Sequence, residues 1–114
     1  MKLLIIDDST VNNIILQNLL EDMGYEAHTA LNAEDASKII KEVSPDLILM
    51  DLMMPDVSGF DLLKRFRKEQ ISIPVIIVSA FSDDEYKRKA KELGARDYLL
   101  KPVDKKILAS CLEK

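Results

Sequence analysis

The 114-residue chain is 47% apolar and 32% charged, a balance that fits a soluble globular domain with a core of its own. It contains no apolar run near the ~20 residues that span a bilayer. Asp7 and Asp8 interrupt the N-terminal apolar run too early for a signal peptide, and a single cysteine, Cys111, excludes an internal disulfide.

The net charge of −4 is unevenly spread: residues 1–60 carry 11 acids against 3 bases, and residues 61–114 carry 9 acids against 13 bases. An acidic first half can attract a cation and a basic second half an acidic partner. The bases lie at helical spacing among acids without interleaved aromatic residues, which argues against direct nucleic-acid binding. The lone cysteine suits a reducing, cytoplasmic location.

Lys2 to Ile6 reads as a short buried strand ending in Asp7-Asp8. Ser9 or Thr10 can cap a helix in which Val11, Ile14, Ile15, Leu19 and Met23 recur at helical spacing, with Gly24 at its end. Tyr25 to Ala30 is a second strand. Asn32 caps a helix whose Ala36, Ile39, Ile40 and Val43 face inward, and Pro45 closes it. Leu47 to Met50 is apolar on successive residues, the pattern of a strand buried on both faces, and it runs into Asp51. Loop chemistry follows, with Pro55 fixing one dihedral and Gly59 permitting unusual ones.

Phe60, Leu62, Leu63 and Phe66 mark a third helix, and Val75 to Val78 a strand ending at Ser79. Asp83 opens a charged helix that closes at Leu93-Gly94. Asp97 to Leu100 is a fifth strand ending at Lys101-Pro102, and Asp104 caps a last helix with Ile107, Leu108, Cys111 and Leu112 inward. Five strand–helix alternations with short connections predict an α/β fold, a doubly wound five-stranded parallel sheet of order 2-1-3-4-5, with a switch point between the first and third strands. Residues 1–114 read as one domain, free-standing or cut from a longer protein.

On that sheet Asp7, Asp8, Asp51, Ser79 and Lys101 all fall at C-terminal strand ends, where open parallel sheets bind ligands. Three neighbouring carboxylates repel unless a positive charge compensates. Mg2+ suits them, as a hard cation that takes one or two carboxylates, keeps waters and accepts phosphate oxygens. Asp51 can then act as a carboxylate nucleophile toward phosphorus, with Lys101 and Ser79 as donors to the phosphoryl oxygens. A haloacid-dehalogenase-type phosphatase needs a second aspartate at position 53, which is Met53, and a flavodoxin-type phosphate loop is missing after the first strand. His28, the only histidine, lies near the edge strand and away from these residues.

The order Leu4-Ile5-Ile6-Asp7-Asp8-Ser9, Asp51-Leu52-Met53-Met54-Pro55 through Ser58-Gly59, Ser79-Ala80 and Tyr98-Leu99-Leu100-Lys101-Pro102 resembles the receiver domain of two-component response regulators, over essentially the whole chain. The resemblance implies a regulatory domain rather than an enzyme, with Asp51 accepting phosphate from a phosphohistidine of a sensor histidine kinase or phosphotransfer protein. It implies that Asp8, Asp51 and the Met53 backbone carbonyl hold Mg2+ directly and that Asp7 does so through water. It also implies a cis Lys101–Pro102 bond and a switch in which Ser79 moves toward the phosphate and Tyr98 turns inward. That switch would remodel the face of helix 4, strand 5 and helix 5, where an output domain or a second copy docks.

Two departures from the family pattern stand out. Asn12-Asn13 occupy a place where many relatives carry an arginine, which alters a kinase-facing contact. Met53 and Phe81 occupy the positions that tune phosphate lifetime; neither can orient a water, so self-dephosphorylation is expected to be slow.

Overall fold

The uninterrupted apolar runs form the centre of the molecule. The computed structural model describes residues 1–113. Its strands are β1 (Lys2–Ile6), β2 (Glu26–Ala30), β3 (Leu47–Asp51), β4 (Val75–Ser79) and β5 (Asp97–Leu100). All pair in parallel, in the order β2-β1-β3-β4-β5. The helices are α1 (Thr10–Asp22), α2 (Ala33–Val43), α3 (Gly59–Lys68), α4 (Asp84–Glu92) and α5 (Lys105–Leu112).

Side chains alternate across a strand, so each central strand feeds two cores. Leu4, Ile6, Ile48, Met50 and Ile77 point to the side covered by Ala36 of α2, by Phe60, Leu62, Leu63 and Phe66 of α3, and by Ala90 of α4. Leu3, Ile5, Leu47, Leu49, Ile76 and Val78 point to the other side, under Leu20 of α1 and Leu108, Cys111 and Leu112 of α5. Helices on both faces explain why β1, β3 and β4 need apolar residues at every position.

Short polar side chains set where the helices begin. Ser9, rather than Thr10, accepts from the Asn12 N–H and caps α1. Asn32, Ser58 and Asp104 do the same for α2, α3 and α5. Asp83 sits at the cap of α4 without a side-chain hydrogen bond. Gly24 and Gly94 take φ of 91° and 95° just past α1 and α4, the left-handed conformation that ends helices.

Four local expectations change. The first half of the apolar stripe of α1 faces outward: Val11, Ile14 and Ile15 are 64%, 50% and 54% exposed, while Leu19 and Met23 pack partly buried against the core and Asn13 and Leu20 are buried. Spacing identifies a stripe but not the side that meets the sheet, and here the Leu16–Leu20 side does. Ile107 is exposed because the inward set of α5 is Leu108, Cys111 and Leu112, and a step of one residue turns a side chain by ~100°. β2 begins at Glu26, since the Tyr25 N–H closes back on the Leu20 carbonyl. Gly59 is required by space rather than by its dihedrals. A Cβ there would lie 2.6 Å from the Asp51 carbonyl oxygen and 2.9 Å from the Leu52 Cα.

Candidate functional site

Strand ends deliver the charged side chains to one place. The Asp7 N–H donates to the Ala30 carbonyl, extending the β1–β2 ladder by one bond, and the Lys101 N–H donates to the Ser79 carbonyl across β4–β5. Asp51, the last residue of β3, pairs in register with Val78. Carboxylate oxygens of Asp7, Asp8 and Asp51 lie within 4.8 Å of one another. The Lys101 Nζ stands 3.1 Å from Asp7 Oδ2 and 3.4 Å from Asp51 Oδ1. Asp7, Asp8, Asp51 and Lys101 are thus brought together as expected.

Each carboxylate has its own surroundings. Asp7 is buried and already occupied: Oδ1 accepts from the Ser9 N–H, and Oδ2 accepts from Lys101 and, at 3.5 Å, from Asn12 Nδ2. Asp51 accepts from the Leu52 N–H, and its side chain is only 12% exposed. Asp8 is exposed. Burial, and then the charge of Asp7, push the Asp51 carboxyl above its usual range against the pull of Lys101. Burial disfavours the Lys101 ammonium, yet Asp51 and Asp7 together outweigh it and hold the amine protonated beyond its ordinary range. The one ammonium pairs with two of the three carboxylates, Asp7 and Asp51, and the cluster remains short of positive charge. An all-oxygen donor set of this kind fits a hard divalent cation.

The two expected switch residues meet elsewhere, at Phe81. Ser79 is buried, and its hydroxyl oxygen accepts from the Phe81 N–H at 3.1 Å. The Tyr98 hydroxyl donates to the Phe81 carbonyl at 2.6 Å. The Phe81 ring packs edge-on against Tyr86, and Tyr86 packs edge-on against Phe60, so this loop is tied to α4 and α3. Met53 is exposed in the loop after Asp51, and the Lys101–Pro102 bond is cis. His28 pairs with Glu26 on β2, as a structural residue would.

Three supporting residues escape a reading of sequence alone. Asn13, buried in α1, donates from Nδ2 to the Asp7 carbonyl at 2.9 Å and more distantly to that of Ala30, fixing the β1 end. Asp56 reaches back from the β3–α3 loop to accept from the Ala33 N–H at the start of α2. Gly59 lets α3 begin against the Asp51 backbone, and its N–H donates to the Leu52 carbonyl. A polar residue on the Leu20 side of an apolar helix was the one signal available for Asn13. Beside the cluster, an apolar cavity of about 320 Å³ opens between α1 and the β5–α5 connection, lined by Leu16, Leu19, Leu49 and Val103.

The family model described as "Response regulator receiver domain" matches residues 3–113, and the chain belongs to that family. It is 38% identical over 107 residues to "Probable transcriptional regulator ycf27" of Porphyridium aerugineum, covering 94% of this chain and 44% of that protein. It is 38% identical over 109 residues to "Protein PilH" of Pseudomonas aeruginosa, covering 94% and 90%. The fold superposes on the chemotaxis protein CheY4 of Vibrio cholerae with a TM-score of 0.91 at 29% identity, covering 98% and 95%. A Francisella response regulator 1452 receiver domain gives 0.90 at 33%, covering 98% and 93%. The chain spans less than half the length of the ycf27 relatives it matches. As a receiver domain it is a regulatory phospho-acceptor of two-component signalling. Among the described residues no helix is long and apolar enough to cross a membrane.

Proposed function

We propose that Asp51 is the residue that accepts the phosphoryl group. One observation carries this reading: a nearly buried carboxylate ends the central strand within ion-pair distance of Lys101 and within 4.8 Å of two more carboxylates. An Asp51 oxygen forms the new bond to phosphorus. The phosphorus–nitrogen bond of the donor phosphohistidine breaks, its electron pair returning to the imidazole nitrogen. Lys101 pairs with a phosphoryl oxygen as charge builds there. The Ser79 hydroxyl uses its oxygen toward Phe81, which leaves its hydrogen free to donate.

Mg2+ held by Asp8, Asp51 and the Met53 carbonyl, with Asp7 acting through water, would neutralise the remaining carboxylate charge and stabilise the phosphoryl oxygens. Asp7 suits the indirect role because three protein donors already engage it.

A sensor histidine kinase or phosphotransfer protein supplies the phosphate in the cytoplasm. The exposed Val11, Ile14 and Ile15 of α1, beside the acid cluster, offer such a donor an apolar landing face. Ser79 moving toward the phosphate would release the Phe81 N–H, and Tyr98, bonded to the same residue, would respond. That couples the site to α4, β5 and α5, where an output domain or a second copy docks.

Incubation with Mg2+ and acetyl phosphate, followed by intact mass, tests the assignment. One added phosphate that Asp51→Ala abolishes is expected; many equivalents turned over, or a label surviving in the variant, would overturn it. Followed over time, the same mass signal should decay slowly in the native chain and faster after Met53→Asn with Phe81→Glu.

A further inference from the structure

The cavity beside the acid cluster has no part in the phosphate chemistry. The sheet contributes Ile5, Leu49 and Val78 to its lining, α1 contributes Leu16 and Leu19, and the β5–α5 connection contributes Val103. Water against such walls finds few hydrogen-bond partners, so an apolar body that displaces it is favoured. The charged side chains of the same lining are Asp7, Asp51 and Lys101, two carboxylates to one ammonium. Asp8 adds a third carboxylate oxygen within 4.8 Å of the other two. Asp7 already has three donors, from Ser9, Asn12 and Lys101. Asp51 is less engaged: the Leu52 N–H and Lys101 both fall on Oδ1, and among the described residues Oδ2 takes no hydrogen bond or ion pair.

We propose that the cavity and the acid cluster together bind a small apolar amine, its ammonium on Asp51 and its hydrocarbon body between α1 and the β5–α5 connection. A volume of about 320 Å³ lies at the low end of the ~300–1,000 Å³ of small-molecule sites, room for one ring on a short chain rather than for a peptide segment. The head is cationic because the carboxylates outnumber Lys101; an anionic head would meet two like charges at the mouth. The ammonium supplies the donor that Asp51 Oδ2 lacks, and a charge-assisted bond of this kind is the strong sort. A divalent ion draws on the same carboxylate, so amine and Mg2+ each weaken the other. Binding itself follows from the cavity and the charges. Only its consequence, that a bound amine blocks phosphorylation, rests on Asp51 being the phosphate acceptor.

The test titrates the isotope-labelled, unphosphorylated, metal-free chain by NMR with phenylbutylamine, phenylbutanol and phenylbutyrate, which share a body and differ in the head. Amide shifts are expected in α1, at the C-terminal ends of β1, β3 and β4, and in the β5–α5 connection. The amine should bind about tenfold more tightly than the alcohol, as a hydrogen bond to a charged group predicts, and the carboxylate should not bind. Asp51→Asn should erase most of that preference, and added Mg2+ should weaken the amine. Leu16→Phe and Val103→Phe fill the cavity from opposite walls; each should weaken the amine by about tenfold or more and leave Mg2+ binding unchanged.

Equal binding of phenylbutyrate, shifts elsewhere or none, or amine binding indifferent to Mg2+ would overturn the proposal. So would amine binding that survives either cavity-filling variant. The comparison of the three heads uses the native chain, so it decides the matter even where a phenylalanine variant fails to fold. No arm of the titration transfers phosphate, and its failure is therefore separable from failure of the phosphate assignment.

Discussion

Asp51 is held where ionisation works against the fold. Its folded-state pKa is raised, first by burial and then by Asp7, above the ordinary aspartate value of 3.8. A group shifted in this sense favours the fold while protonated; that contribution is present below the unfolded pKa and lost as pH rises through the folded one. Lys101 is also raised, above 10.5, so its contribution holds throughout the neutral range and fades only in strong alkali. At pH 7 without a divalent ion, Asp51→Asn should therefore stabilise the chain, raising the melting temperature by about 4 °C for roughly 1 kcal/mol. Adding Mg2+ should reverse the order, because the ion stabilises the native chain by mass action and the variant has lost a ligand. Differential scanning calorimetry with and without Mg2+ checks both halves. A variant less stable than the native chain without Mg2+ would mean that Asp51 is not under electrostatic strain.

Gly59 makes the same site a matter of sterics. Placing a Cβ 2.6 Å from the Asp51 carbonyl forces α3 or the end of β3 to shift, so Gly59→Ala should cost about 1–3 kcal/mol in urea unfolding and slow phosphorylation by acetyl phosphate. A glycine conspicuous in sequence invites an explanation from backbone freedom. The actual constraint comes from a carbonyl eight positions upstream, which only the folded loop brings near.

At the scale of elements, strands were legible and helix faces less so. Leu47 to Met50 and Val75 to Val78 can be little else than doubly buried strands, because helices cover both sides of the sheet. In α1, two sides compete: Val11, Ile14 and Ile15 are apolar, yet the helix buries Asn13 and Leu20. The Asp7 carbonyl needs a donor there, and Asn13 supplies it. The exposed stripe is then available to a donor protein. Ile14→Asp should slow phosphotransfer from a phosphohistidine-bearing partner about tenfold while leaving the acetyl phosphate rate unchanged. Its effect on stability should stay within ~0.5 kcal/mol, as for other surface changes. Equal slowing with both donors would place the effect in the acid cluster rather than in docking.

Across the whole molecule, strand order turns scattered residues into one site. Asp7, Asp51, Ser79 and Lys101 are separated by up to 94 positions, and the order β2-β1-β3-β4-β5 sets their strand ends side by side. That convergence could be read from sequence because short connections and right-handed crossovers leave few other layouts. The link through Phe81 could not, since it is made by a backbone N–H and carbonyl that carry no sequence signature. The charge split also takes spatial form, with Asp7, Asp8 and Asp51 around the phosphate site and Lys87, Lys91 and Lys106 on α4 and α5.

The most direct measurement is chemical localisation of the phosphate. Borohydride reduction of the acetyl-phosphate-treated chain converts an aspartyl phosphate to homoserine, and peptide mass mapping reads its position. Homoserine at position 51, with the yield reduced by Lys101→Ala, is the expected result. Homoserine at position 7 or 8, or none in a chain that has gained phosphate, would contradict the account.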